Sequence, residues 1–432
     1  MARLPPISAA SWALLLLVVV VSPCHSAAGG RPKAVALPVS RDDATRQYVA
    51  TFQQRTPRVP VLNAVLDLSG ATLWVDCDAG GYYASSSCSR VPCGSKTCRL
   101  VTKNTSPPPC LNRTCSGYAK NTVTNLGGSG EVVVVTELLS FPTTFPGLAS
   151  APLATAPAFV FTCGHTSLTE GLAVGATGMA SLSSARFALP TQLAGAFRFS
   201  RKFALCLPSS ASDAGVVVFG NARYLFDDMD HTNSLLYTPL LVNPVSRSSS
   251  SSSEYFISLK RIVVDDRPVP LNATLLEIGK NGGTKLSTVS PYTVLESSIH
   301  KAVTDAFAAS MATAEIPRVP AVAPFELCYD GSKMESTIAG PTVPVFELYV
   351  QSVLKSKVAP WMVSGENLMV RVDGGALCLG VVDGGVAPET SVVIGSHMME
   401  DVLLEFDLEG SRLGFSPNLR AFQLSCSMFR LG

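Results

Sequence analysis

The chain has 432 residues, 47% of them hydrophobic and 15% charged, with a formal net charge of +1. That is enough apolar material for a large core or two. The balanced charge, with no Lys/Arg block interleaved with aromatics, argues against nucleic acid as a partner.

Reading from the start, Arg3, the apolar run 12–21 and the small-residue zone Cys24-His25-Ser26-Ala27-Ala28 have the order of a secretory signal peptide, placed at residues 1–26. The apolar run is too short to span a bilayer and no later stretch is longer, so no membrane association is expected. The expected location is secreted: extracellular, in the apoplast. The 12 cysteines agree, because 11 remain once Cys24 leaves with the signal. Cys88, Cys93, Cys98, Cys110 and Cys115 crowd together without an adjacent His, which favours disulfides over zinc. No metal or cofactor is implied. Asn104, Asn112 and Asn272 open glycosylation sequons of the kind found on surface loops of secreted proteins.

From about Lys33 onward, short β-branched runs alternate with Gly, Pro, Ser and Asn, the pattern of an all-β chain. Strands are predicted over 61–66, 131–139, 158–161, 215–219, 255–264, 368–372 and 403–407. Few short helices are expected. The clearest covers 296–312, where Ile299, Val303, Phe307 and Met311 make one apolar stripe, and a shorter one covers 188–194. The polyserine run 248–253 reads as a surface loop. The chain also reads as a degenerate duplication. Asp67 and Ser287 stand in comparable hairpins, each followed by an apolar-apolar-small signature: Gly178-Met179-Ala180-Ser181 in the first half and Val392-Val393-Ile394-Gly395 in the second. The boundary is placed near 221–233, giving lobes at 33–222 and 233–432.

The segment Val65-Leu66-Asp67-Leu68-Ser69-Gly70-Ala71-Thr72-Leu73-Trp74 resembles the first catalytic hairpin of a pepsin-type aspartic protease. The resemblance implies a bilobal, all-β, pepsin-like fold. Such enzymes use two carboxylates that share one proton, one acting as base on water and the other polarising the carbonyl. The matching segment of the second half reads Thr284-Lys285-Leu286-Ser287-Thr288-Val289-Ser290. Ser287 stands where the second Asp belongs and Val289 where a Gly belongs, while Leu68 and Ser69 replace the Thr and Gly of the first site. The remnant positions Asp67 and Ser287 therefore carry no catalytic assignment. His165, His231, His300 and His397 are scattered without ligand or triad spacing, and the pairs Asp227-Asp228 and Asp265-Asp266 fall in turn-like sequence.

Further fragments, in order, are similar to a plant secreted group: wheat-type xylanase inhibitors, xyloglucanase-inhibiting dermal glycoproteins and legume basic 7S globulins. They are Leu73-Trp74-Val75-Asp76-Cys77, Ala188-Leu189-Pro190-Thr191-Gln192-Leu193, Phe203-Ala204-Leu205-Cys206-Leu207-Pro208, Ala323-Pro324-Phe325-Glu326-Leu327-Cys328-Tyr329 and Met398-Met399-Glu400-Asp401. The resemblance gives the second lobe the xylanase-inhibitor C-terminal type. It implies a pseudo-protease that binds secreted microbial glycoside hydrolases in plant defence, working as a monomer. It also implies the disulfides Cys77–Cys163, Cys206–Cys426 and Cys328–Cys378, with Cys88 the unpaired thiol. Wheat-type inhibitors carry a His just before the last Cys, whereas the tail here, Asn418-Leu419-Arg420-Ala421-Phe422-Gln423-Leu424-Ser425-Cys426, has none. Arg420 is instead similar to the arginine of the xyloglucanase-binding members, and Lys333 lies in the other loop such members use. Competing expectations are an aspartic endopeptidase, the label the fold alone would assign, and a storage or peptide-binding globulin.

Overall fold

The computed structural model of the protein describes residues 31–432 apart from 57–58, 79–82, 104–107, 146–151, 245–252 and 355. The expected signal segment, Asn104 and all of the polyserine run except Ser253 lie outside these. Residues 32–432 form one compact unit. No helix among the described residues is long and apolar enough to cross a membrane.

The same supersecondary unit occurs twice. In the first half, Val59–Asp67 runs into Trp74–Asp76, and Gly178–Ser181 returns about a hundred residues later to lie between them. It is parallel to the first strand, with Ser181 opposite Asp67, and antiparallel to the second. In the second half Val392–Ile394 sits parallel to Thr284–Leu286 and antiparallel to Thr293–Leu295. A parallel pairing needs a long crossover, which is why the apolar-apolar-small signatures lie so far along the chain from the hairpins they complete. Each hairpin is thereby fixed by a strand lying between its two arms.

The halves share strands. Lys202–Cys206 pairs antiparallel with Leu403–Asp407, and Gly215–Gly220 and Arg412–Phe415 flank them. Gly215–Gly220 is buried at every position, as a strand covered on both faces should be. Phe203 stacks on Phe406 across this seam at 4.5 Å between ring centroids. The tail comes back over it: Phe429–Leu431 pairs with Tyr224–Phe226, inside the stretch expected to link the lobes.

The helix Ser297–Thr313 buries Ile299, Val303, Phe307 and Met311, and Glu296 caps it by accepting from the amides of Ser298 and Ile299. The second predicted helix is Leu189–Phe197. Two predicted strands need correcting. The run 255–264 is two strands, Phe256–Ile257 and Leu259–Val264, because the first pairs with 284–285 and the second with 346–350. The run 368–372 is only Met369–Arg371, since the Leu368 amide closes a helical turn on the Ser364 carbonyl. Asp227, Asp228, Asp265 and Asp266 all have positive φ, as two-residue hairpin turns require.

Among the described residues, five disulfides join Cys77 to Cys163, Cys93 to Cys110, Cys98 to Cys115, Cys206 to Cys426 and Cys328 to Cys378. Cys88 is the free thiol among the described residues.

A buried ionic hub fastens the seam. Glu400, 2% exposed, accepts from Tyr48 Oη at 2.5 Å and Arg41 Nη1 at 3.0 Å, lies 2.9 Å from His397 Nδ1 and is 3.7 Å from Arg46. Burial pushes its carboxyl up, but His397, the Tyr48 hydroxyl and Arg41 outweigh that and hold it below its ordinary value of 4.5. A depressed carboxylate contributes stability above its unfolded pKa and loses it as pH falls through the folded one. The melting temperature should therefore drop as pH falls below about 4.5. Glu400→Gln should cost about 3 kcal/mol at neutral pH, because it takes the charge from a buried carboxylate that half-buried Arg41 and Arg46 face, and should flatten that acid limb. Thermal melts of both proteins across the acid range check this.

Candidate functional site

The two hairpin tips meet at Thr288. Its hydroxyl donates to the Leu66 carbonyl at 2.8 Å and accepts from the Leu68 amide at 3.3 Å, so it brackets Asp67 from the neighbouring tip. Leu68, buried at 1% exposure, has no hydroxyl with which to return the bond. The clasp is one-sided, yet it sets Asp67 and Ser287 on the same cavity of about 580 Å³.

Asp67 is 2% exposed. Its Oδ1 accepts from the amide and the hydroxyl of Ser69 at 2.7 and 2.6 Å, and its Oδ2 accepts from Thr122 Oγ1 at 2.9 Å. Burial raises its pKa above the ordinary 3.8, against the pull of those hydrogen bonds and with a further push from Glu254. Ser69 stands where a Gly is expected, and the residue that must lack a side chain is the next one, Gly70. A Cβ on Gly70 would stand 2.8 Å from Asp67 Oδ2. Ser181, opposite Asp67, uses its hydroxyl on the Gly70 carbonyl.

Across the cavity, Ser287 Oγ accepts from the Ser290 amide at 3.1 Å, a local turn bond. Val289 packs against the cluster containing Trp74 and Met179. Lys285 reaches over to Glu254 at 2.7 Å. Trp74 Nε1 donates to the Lys120 carbonyl at 2.9 Å and so ties the hairpin to the segment that carries Thr122. Among the described residues, the pocket thus holds one carboxylate at a catalytic position, Asp67, and a hydroxyl, Ser287, where its partner belongs. Thr122 and the Lys285–Glu254 pair went unseen in the sequence because their partners lie 55 and 31 residues away.

The other predicted positions lie apart from this cavity. Lys333 is exposed at the end of the single turn Gly331–Lys333, which Asp330 caps by accepting from Ser332. Arg420 is 34% exposed and engaged within the protein: Nε donates to Asp401 at 2.8 Å, and Nη2 to Ser209 Oγ at 2.9 Å and Asp213 at 3.0 Å. Asn112 sits exposed at positive φ in the turn between Cys110–Leu111 and Thr114–Lys120. Asn272 is exposed and accepts from Thr274. The histidines do not converge: His165 pairs with Asp78, His300 lies 3.8 Å from Glu326, and His397 belongs to the seam hub. No group of three or more metal-ligating side chains occurs among the described residues.

A duplicated hairpin-and-return-strand unit, closed over a cleft by a threonine clasp, defines a pepsin-like bilobal protein whose site has one of the two carboxylates. Residues 48–221 match the family described as xylanase inhibitor N-terminal and residues 254–417 the one described as xylanase inhibitor C-terminal, and the chain belongs to this family. It is similar to "Probable aspartic proteinase GIP2" of Nicotiana benthamiana, 43% identical over 96% of this chain and 95% of that protein. The crystal structure of edgp superposes with a TM-score of 0.85 at 44% identity, covering 93% of this chain and 98% of that one. That of conglutin gamma, a basic 7S globulin from lupine seeds, gives 0.75 at 32%, covering 93% and 100%.

The site predicts no acid proteinase activity above background on casein or haemoglobin. Loss of a general acid or base typically costs on the order of 10² to 10⁴ in rate. Ser287→Asp alone should not restore turnover, because Leu68 and Val289 still shape the two tips. Pepstatin-sensitive cleavage by either protein would refute this.

Proposed function

We propose that this protein is a secreted, non-catalytic relative of aspartic proteases that inhibits microbial cell-wall glycoside hydrolases, of xylanase or xyloglucanase type, in plant defence. The observation that carries the reading is the xylanase-inhibitor match in both halves of a chain that has Asp67 at one catalytic position and Ser287 at the other. The proteinase in the name of the tobacco relative needs a second carboxylate that Ser287 does not supply. The apoplast is the proposed location, reached through the signal at residues 1–26, and the monomer the proposed form, with lobes at 33–222 and 233–432 and glycans on Asn104, Asn112 and Asn272.

The contact surface is proposed at the loop of Lys333 and the tail of Arg420, away from the cleft. Lys333 makes no salt bridge among the described residues, and Ile338 beyond it is 60% exposed. On the tail, Phe422 is 61% exposed. A retaining glycosidase presents two carboxylates about 5 to 5.5 Å apart, which a guanidinium bridges better than an ammonium. Arg420 already faces Asp401 and Asp213, so its charge is partly spent and its first task is to hold the tail.

The two basic residues should therefore behave differently. Lys333→Ala should weaken inhibition and leave the melting temperature unchanged. Arg420→Ala should lower both, with a binding loss on the order of 2 kcal/mol if the tail is the hot spot. Asp67→Ala should leave inhibition intact. Titration of xylanases and xyloglucanases with these variants is the test. Absence of inhibition by the parent protein would favour the storage or peptide-binding reading.

A further inference from the structure

The cleft keeps a built polar site that the proposed inhibitory surface does not use. Asp67 Oδ1 is saturated by two Ser69 donors, whereas Oδ2 has one donor, Thr122, and a carboxylate oxygen can take two. Ser287 Oγ accepts from the Ser290 amide, which leaves its own proton to donate. Thr288, the residue after Ser287, couples the two tips by bonding the backbone on both sides of Asp67. Asp67 and Ser287 both line the cavity of about 580 Å³, a volume typical of small-molecule sites. Lys103, Lys120 and Lys285 also line it, against Glu254 and Glu389, so the wall is net positive when Asp67 is protonated.

Two carboxyl groups held side by side share one proton, because both cannot ionise at close range. Here the fold supplies one carboxyl and a serine in place of the other. We propose that the cleft binds small organic carboxylates, the ligand's carboxyl taking the place beside Asp67 that a second aspartate would fill. The shared proton lies between Asp67 Oδ2 and the ligand, and Ser287 Oγ–H donates to the ligand's second oxygen. No bond is made or broken in the ligand. The recognised chemistry is a free carboxyl, whether on a peptide C-terminus or on a sugar acid, and it is independent of whether the outer surface engages a hydrolase.

Burial pushes the Asp67 carboxyl above its ordinary value against the pull of its hydrogen bonds, which favours the protonated form as pH falls. Once Asp67 ionises, it repels the ligand carboxylate. Binding should therefore be tight at acid pH and weaken as pH rises.

The test is calorimetric titration of the full-length mature protein with acetate, an N-acetyl tripeptide acid and glucuronate at about pH 5 and about pH 7.5, with Kd expected to rise by about tenfold or more between them. The tripeptide amide should not bind, and whichever of the two larger acids binds more tightly identifies the source. Ser287→Asp should abolish binding, since the protein then carries its own second carboxyl. Asp67→Asn should retain a donor amide and bind with no such pH dependence. If Ser287→Asp does not fold, judged by its melting curve, Asp67→Asn decides alone. The proposal is overturned if none of the acids binds at the lower pH, if folded Ser287→Asp binds as the parent does, or if Asp67→Asn keeps the parent's pH profile.

Discussion

Two consecutive acidic residues, Glu400 and Asp401, hold the structure's seam, and the rest depends on them. Glu400 gathers Arg41, Arg46 and Tyr48 from the first hairpin of the described chain together with His397 from its own turn. Asp401, in a left-handed conformation, faces the other way: it accepts from Ser209, Arg420 and the Cys426 amide. One turn thus secures the first hairpin, the strand Lys202–Cys206 and the tail. A buried ion is costly to desolvate, and such a hub is tolerable because nearly every oxygen has a donor. The Cys206–Cys426 bridge closes the same junction covalently over a separation of 220 residues.

Because the seam is fastened there, the cleft does not need catalysis to stay in shape. Thr288 bonds across the tips although Leu68 cannot reciprocate, and Leu68 is buried where a reciprocal hydroxyl would have sat. Val289 fills the position of a missing glycine by packing against the Trp74 cluster. Each departure from a protease site is absorbed by a local apolar or hydrogen-bonded contact. A fold of this kind does not by itself fix a chemistry, since its stability lies elsewhere.

The sequence made the helix 297–313 legible because its apolar stripe has a single face and no competing partner. It made the duplication legible because a return strand must be short, apolar and ended by a small residue. It misplaced the run 255–264 because both pieces have the same β-branched pattern, and only their different neighbours reveal the break at Ser258. Asp67 and Ser287 stood out through local motifs. Thr122, Glu254 and the Glu400 hub did not, since a buried polar group is defined by partners that periodicity cannot see, such as Arg41, 359 residues from Glu400. Arg420 shows the same limit from the other side: its position in the tail was clear, but its commitment to Asp401 and Asp213 was not.

The pairing of Lys202–Cys206 with Leu403–Asp407 has a consequence for how the chain is made. About 200 residues separate the two strands, so at about 5 to 20 residues per second the ribosome leaves the earlier one waiting on the order of 10 to 40 s for its partner. During that interval one edge of Lys202–Cys206 is open, and it is apolar, with Phe203 and Leu205 inward and Cys206 still a thiol. An open apolar edge is a template for pairing with other chains. The first half must therefore be shielded in the compartment of synthesis until the second arrives, and the bridge Cys206–Cys426 can close only once residue 426 has been made.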